Sequence, residues 1–335
     1  MADRVIVVGA KRARQAVPIS EIKQMVGRGG RKHDDSVCLA TVVVESELAD
    51  DVERGMEDSE SFVVESSMSD SDTFAFHILP EICNEKVTDE VTAAIWYERS
   101  FAKFQGQKPN IPKSIKMLEV CEAVGWDGDR LKATPLGKIA SRLYLHPSDV
   151  WAWRDNFDMV FKQGLEDEDA ALAWALGTVP YTRMAGDFGE NYWHVIDQCR
   201  NEIPNTLKKA EGTIVTVTLW RYLLGGHPVG KMRNAALALR GDCSRICQSL
   251  KDLDRVMNWG KEEFFDELAW RCKRGIPNHL VELCKLSGIN KGRAAYLYDI
   301  GMTDRERISL NYENVRGEVD DQFWKALRNI ANGIC

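Results

Sequence analysis

The stretch Gln24-Met25-Val26-Gly27-Arg28-Gly29-Gly30-Arg31 sets two arginines three residues apart among glycines. A guanidinium offers a rigid fork of donors matched to phosphate oxygens, and glycine lets a backbone come close, so the stretch suits a phosphate-gripping turn at a helix end. Upstream, residues 4–9 (RVIVVG) are a β-branched run of the kind buried in parallel sheets. A basic connector, residues 10–17, leads to Pro18-Ile19-Ser20, and Ser20 is expected to cap a helix starting at Glu21. Downstream, residues 37–44 (VCLATVVV) read as a second buried-type strand. The pattern is strand, helix, strand, and there the sheet stops. Two strands leave edges and faces open, so something else is expected to complete it.

The chain has 335 residues, 44% hydrophobic and 28% charged, enough for two to four small domains. No run of eighteen apolar residues occurs, so no membrane span is expected. The nine cysteines show no CxxC pairing and the start lacks a secretion signal, which predicts reduced thiols in a cytoplasmic, nucleic-acid-associated protein. Cys243 and Cys247 read as core thiols, and no metal site is expected. Net charge is −7, but it is unevenly spread: residues 1–33 hold eight Lys/Arg against Asp3 and Glu21, and residues 45–72 hold eleven Asp/Glu against Arg54. A basic face can work on an acidic protein because electrostatic footprints are local.

Residues 45–72, acidic and serine-rich, read as a linker or mobile helix. From 73 to about 134 short helices are expected, one beginning at Pro109-Asn110-Ile111-Pro112, then a turn over residues 125–129 and a wing strand at residues 131–134; helix, turn and short hairpin is winged-helix grammar. From 135 to 274 the pattern is helical, with Trp151, Trp153, Trp174, Trp193 and Trp220 as core aromatics and residues 242–273 as one long, interrupted helix. Residues 280–294 read as two short helices around a Gly-Ile-Asn turn, a helix-hairpin-helix whose amides can hold a phosphate.

Taken in order, these parts resemble the C-terminal part of a superfamily 2 helicase. The resemblance is to the superkiller-like group, with its archaeal DNA repair helicases and the helicase domains of HELQ and polymerase theta. ADRVIVV resembles the strand after motif V, and ISEIKQMVGRGGR resembles motif VI. ATPLGKIAS running into SRLYLHP resembles the junction of winged helix and ratchet domain, and LSGINKGRAAYLYDIGM the terminal helix-hairpin-helix. The implied fold is mostly α: an incomplete RecA-like α/β remnant at 1–48, an acidic linker at 49–72, a winged helix at 73–135, a helical ratchet domain at 136–275 and a helix-hairpin-helix at 276–335.

The resemblance implies roles. Gln24, Gly27, Arg28 and Arg31 would bind ATP, with Arg28 and Arg31 as catalytic finger residues stabilising charge on the transferred phosphoryl group, worth about 10³–10⁵ in rate. The family's strand-separating hairpin falls on residues 10–17 with Lys11, Arg12 and Arg14, and is shorter here. In the ratchet helix Arg245 matches a nucleic-acid-binding arginine; the family's stacking tryptophan two turns on is replaced by Asp252, and Trp259, two turns further, is the candidate to stack a base, against a core role. In the terminal hairpin Gly288 and Asn290 stand for a Gly-hydrophobic-Gly turn, with Asn290 expected to tolerate left-handed geometry, and Lys285, Lys291 and Arg293 around a phosphate site. Lys113 and Lys116 are either backbone contacts or ordinary surface lysines.

No P-loop followed by an acidic magnesium motif is found. Residues 225–232 (GGHPVGKM) imitate a P-loop after a possible strand at residues 213–220, but Met232 lacks the hydroxyl that Mg²⁺ needs and Pro228 removes an amide. The chain alone is therefore expected not to hydrolyse ATP. ATP and Mg²⁺ would bind only once the chain is completed by a segment carrying motifs I to V, in a partner polypeptide or in an upstream half outside this sequence. The leading reading is the C-terminal, DNA-clamping portion of a 3′→5′ helicase acting on single-stranded or branched DNA, with RNA as the other candidate substrate. Its rival is a non-enzymatic single-stranded nucleic-acid-binding or regulatory module, and a third reading is a pure interaction protein docking through the open sheet edge.

Overall fold

A computed structural model describes residues 4–9, 11–12, 15–29, 39–58, 66–179, 193–207, 214–225 and 233–333. The chain divides into two compact units, residues 1–66 and 67–335.

In the first unit, strand β1 (Arg4–Val8) pairs in parallel with β4 (Leu39–Val43), from Arg4 opposite Leu39 to Val8 opposite Val43. Between them, β2 (Lys11–Arg12) and β3 (Gln15–Ala16) form a small antiparallel hairpin, and α1 (Ile19–Val26) precedes β4. The expected strand, helix, strand order is present. Ser20 does not cap α1: the helix starts two residues earlier, at Ile19, with extended Pro18 at the N-cap and its carbonyl accepting from Glu21 and Ile22. A 3₁₀ turn (Ser46–Leu48) and α2 (Ala49–Glu57) follow, so part of the acidic stretch is helical. Val17, Ile22 and Val52 form a small core that packs α2 onto α1. Gly55 permits that approach, since a Cβ there would lie 2.7 Å from Ile19 Cγ1. The period-2 alternation sends Val7 inward and leaves Ile6 (60%), Val8 (77%) and Val43 (49%) exposed on the other face.

The second unit opens with α3 (Ser71–Cys83), α4 (Glu90–Tyr97), the short α5 (Phe101–Phe104) and α6 (Ile111–Val120), each capped by a side chain from Asp70, Asp89, Ser100 and Asn110 respectively. An antiparallel hairpin, β5 (Val124–Asp127) and β6 (Arg130–Ala133), turns through Gly128 at φ +61°. The expected turn at 125–129 is thus half strand, with only Gly128 and Asp129 in the loop. Helix α7 (Pro135–Leu143) is capped by Thr134 and crosses so close to the chain entering β5 that a Cβ on Gly137 would sit 2.0 Å from the Ala123 carbonyl oxygen.

Left-handed Tyr144 ends α7, and His146 caps α8 (Pro147–Lys162). Next come α9 (Asp169–Gly177), buried on every side, then α10 (Trp193–Glu202), α11 (Ile214–Thr218) and a π-helical turn (Leu219–Leu224). The run at 213–220 is therefore helical, not a strand. Residues 242–273 are not one helix but belong to two, α12 (Arg233–Met257) and α13 (Glu262–Arg274), split by left-handed Asn258 and Gly260 and packed on each other. Trp153, Trp174 and Trp220 are buried in the core as expected, and Trp151 packs against it; the side chain of Trp193 lies outside the described residues. Cys243 and Cys247 are buried core thiols, and burial pushes both well above the ordinary thiol range.

A separate core, from Ile276 to Ile330, holds a 3₁₀ turn (Asn278–Leu280), α14 (Val281–Lys285), α15 (Lys291–Asp299), α16 (Arg305–Asn311), a second 3₁₀ turn (Tyr312–Val315) and α17 (Asp321–Ala331). The described residues are mostly helical, and no helix among them is long and apolar enough to cross a membrane.

Candidate nucleotide and nucleic-acid sites

At the end of α1, Gly27 closes the helix with its N–H on the Lys23 carbonyl, and the Arg28 and Gly29 amides turn back to Met25 and Val26. Gly27 has an ordinary φ of −66°, so its value there is room rather than unusual geometry. Gln24 and Arg28 are exposed, and Arg28 makes no ion pair among the described residues. Arg31 and Gly30 lie outside the described residues, as does Arg14. Lys11, by contrast, is held by Glu47, whose hydrogen bond raises the lysine above its ordinary pKa. Arg12 sits in the β2–β3 hairpin, and its side chain is outside the described set.

On α12 the buried face carries Cys243, Ile246, Cys247, Leu250 and Leu253, and Arg245 faces out, exposed and without an ion pair among the described residues. Asp252, on the same face two turns on, bridges Arg142 of α7 at 2.9 Å and Arg255 at 3.2 Å. Its carboxylate joins two helices there, a job a tryptophan could not do. Trp259 stands in the turn after α12 rather than on it. Its ring meets Phe161 edge-on at 5.2 Å and its indole N–H reaches toward Asp158 Oδ1 at 3.4 Å, within a cluster with Phe264 and Phe265. The ring is half-buried and packs against the main core.

In the terminal hairpin Gly288 alone is left-handed, at φ +78°. Asn290 is extended instead, and its Oδ1 caps α15 by accepting from the Arg293 N–H at 3.0 Å. Asparagine serves here as a helix cap, which explains a polar residue where a second turn glycine was expected. No backbone partner among the described residues takes the Ser287 or Gly288 N–H. These amides border a cleft of about 230 Å³ lined by Ser287, Gly288, Arg293, Gln322, Lys325 and Asn329. Arg293 is partly committed: it donates to the Gly288 carbonyl at 2.8 Å, lies 3.4 Å from Asp320 and covers the Phe323 ring at 4.8 Å. Lys285 is held by Glu267 at 2.8 Å and Glu282 at 2.9 Å, which raise its pKa. Lys291 is shifted down by burial and by Arg240. Lys325, exposed on α17, is the cation that sequence reading missed, because nothing local says that α17 returns to the hairpin. Ala326 beside it sits 2.9 Å from where a Gly288 Cβ would be, and that need for a glycine is the one trace in the sequence.

Of the other expected residues, Lys116 pairs with Glu119 at 2.8 Å and Lys113 has no ion pair among the described residues. Residues 226–232 of the P-loop imitation lie outside the described residues, and the helical turn before them removes the strand that such a loop would follow. Glu166 pairs with Lys261, Asp169 with Arg271 and the Asn278 N–H, and Asp167 accepts from the Asn278 amide, and among the described residues no cluster of three metal-binding side chains forms.

The Hel308 ATP-dependent DNA helicase of Pyrococcus horikoshii is 25% identical over 318 residues, covering 88% of this chain and 44% of the relative. Those of Thermoplasma volcanium (24% over 302 residues, 87% and 43%) and Thermococcus kodakarensis (24% over 319 residues, 87% and 28%) match in the same way. This chain resembles the C-terminal part of an archaeal superfamily 2 helicase. It spans less than half the length of the relatives it matches. No protein-family model matches it.

Proposed function

We propose that this chain is the motif VI and DNA-clamping portion of an ATP-dependent 3′→5′ DNA helicase, active once joined to a segment carrying motifs I to V. The observation that carries the reading is the first unit's sheet, two parallel strands with one face packed and the other presenting exposed Ile6, Val8 and Val43, together with an exposed Arg28 that makes no ion pair among the described residues. Parallel strands are normally covered on both faces. An exposed arginine with no ion pair among the described residues is available to a phosphate.

In this reading β1, α1 and β4 are the edge of a RecA-like domain, and Gln24, Arg28 and Arg31 face the γ-phosphate. ATP supplies the phosphoryl group, and its Mg²⁺ is held by the motor segment. Helices α3, α4 and α6 with the β5–β6 hairpin act as a winged helix. Helices α7 to α13 act as the ratchet, with Arg245 on a DNA phosphate. The 286–293 turn acts as a helix-hairpin-helix in which the Ser287 and Gly288 amides, with Lys325, hold a second phosphate. Trp259, in the α12–α13 turn, packs against Phe161 and Phe265, which supports a core aromatic role, with base stacking as the alternative.

The test is reconstitution with the motor segment and measurement of DNA-stimulated ATPase, with RNA compared as stimulator. Binding of single-stranded DNA without any restored ATPase would favour the non-enzymatic module, and binding of neither would favour a pure interaction protein.

A further inference from the structure

Helix α7 ends on a residue that its backbone disfavours. Tyr144 stands at φ +55°, and among the described residues it is the one aromatic side chain with a positive φ. The Leu145 N–H closes on the Ala140 carbonyl at 2.9 Å, a helix ending in which the left-handed residue is usually glycine. Left-handed backbone costs any residue with a Cβ more than it costs glycine. Burial does not offset that cost, because Tyr144 is 73% exposed. A strained residue that packs so little of its own surface points to a role outside the fold.

The ring is held in place. It meets Phe76 of α3 at 4.9 Å and 78°, and Phe76 in turn lies flat on the His146 ring at 5.8 Å and 7°. Cations flank it. Lys138 and Arg142, four residues apart, share an exposed face of α7. Arg142 reaches Asp252 of α12 at 2.9 Å, so the end of α7 lies against the helix that carries Arg245. Asp252 and Arg245 are two turns apart, about 10 Å along that helix. An open, fixed ring among cations suits a single strand, whose bases all have a π-face and whose phosphates need positive charge. An apolar protein surface laid on the ring would have to bury Lys138 with it.

We propose that Tyr144 is a base-stacking platform for single-stranded nucleic acid, fixed at the α7–α8 junction, with Lys138 and Arg142 on the adjoining phosphates and Arg245 on a phosphate further along the strand. The proposal rests on the nucleic-acid-binding reading above and adds a contact that reading does not contain. Stacking reads no base edge, so the platform takes any base.

The experiment uses the full chain and a short oligothymidylate carrying one 5-iododeoxyuridine. Near-ultraviolet cross-linking with peptide mapping locates the contact, fluorescence anisotropy gives affinity, and urea unfolding gives stability. The expected cross-link falls on Tyr144. Tyr144→Gly removes the ring and relieves the backbone, so it should bind about tenfold more weakly while its urea midpoint is no lower than the parent's. Tyr144→Phe, which keeps the ring, should bind like the parent. A midpoint of Tyr144→Gly clearly below the parent's would make the residue a structural cap and overturn the platform. Parent-like binding by Tyr144→Gly, equal losses in Tyr144→Phe and Tyr144→Gly, or cross-links only elsewhere would overturn it too. So would a Tyr144→Gly chain that keeps its affinity for the oligonucleotide but loses affinity for the motor segment, the result expected of a protein contact. Arg245→Ala separates the two claims: if it weakens binding while Tyr144→Gly does not, the clamp reading stands and the platform falls. A parent chain that binds no oligonucleotide overturns both.

Discussion

Replacing Arg271 with methionine should unfold the second unit far more easily, and the structure says by how much. Arg271 is 1% exposed. Its Nε donates to the Ile276 carbonyl at 3.2 Å, its Nη2 pairs with Asp169, and the Asn278 N–H donates to the other carboxylate oxygen at 3.2 Å. The group thus ties α9 and α13 to the start of the terminal helices. Methionine fills much of the space but strands the carboxylate and the carbonyl. Breaking a buried pair by removing one partner costs about 3–5 kcal/mol. Asp169 keeps 20% exposure and one N–H donor, which places the loss at the low end, about 3 kcal/mol.

The assay is urea unfolding followed by tryptophan fluorescence, with the double variant Asp169→Asn/Arg271→Met alongside; removing the stranded charge should recover about 1–2 kcal/mol. The pH dependence has a definite sign. Burial already pushes the Asp169 carboxyl up, against the pull of Arg271. Without Arg271 the ionised form is penalised further. The defect is therefore full above the raised folded pKa and shrinks as pH falls through it toward the unfolded value. A single variant within about 0.5 kcal/mol of the parent, the range of ordinary surface changes, would refute the clamp.

Other outcomes follow from single contacts. Gly137→Ala drives a Cβ to 2.0 Å from the Ala123 carbonyl and should cost about 1–3 kcal/mol in the same melt, since backbone on both sides must move. Asp70→Ala removes the α3 cap and should cost about 1 kcal/mol at neutral pH. The Thr73 N–H holds the Asp70 carboxyl below its usual range, so its contribution is present above the ordinary aspartate value and lost as pH falls through the lower folded one; the difference between parent and Asp70→Ala should vanish in acid. Arg245→Ala should weaken single-stranded DNA binding and reduce the slope of log affinity against log salt by about 0.7 in a fluorescence titration.

The strand, helix, strand of the first unit was legible because β-branched runs flank a glycine-ended helix, and the structure reproduces it. The run Ile214-Val215-Thr216-Val217-Thr218 misled for a physical reason. Periodicity cannot separate a buried strand from a buried helix, and the deciding contact is distant: Gly177 of α9 lets Thr216 approach so closely that a Cβ would lie 2.4 Å from its Oγ1. Asn258 and Gly260, both left-handed, supply the interruption expected within residues 242–273 and split the stretch into two helices. Among candidate site residues, Gln24, Arg28 and Arg245 are exposed, as the proposed roles need. Lys11 and Lys285 are tied to Glu47, Glu267 and Glu282, partners that only folding brings near. Lys325 depends on α17 returning to the hairpin, which no local motif records.

The central claim is that the arginines after α1 complete a catalytic site built by another segment. It is tested most directly by mixing the chain with a polypeptide carrying helicase motifs I to V and measuring ATP hydrolysis with and without single-stranded DNA. The account predicts DNA-stimulated hydrolysis that falls by about 10³–10⁵ with Arg28→Ala or Arg31→Ala. Hydrolysis restored in full by both variants would contradict it.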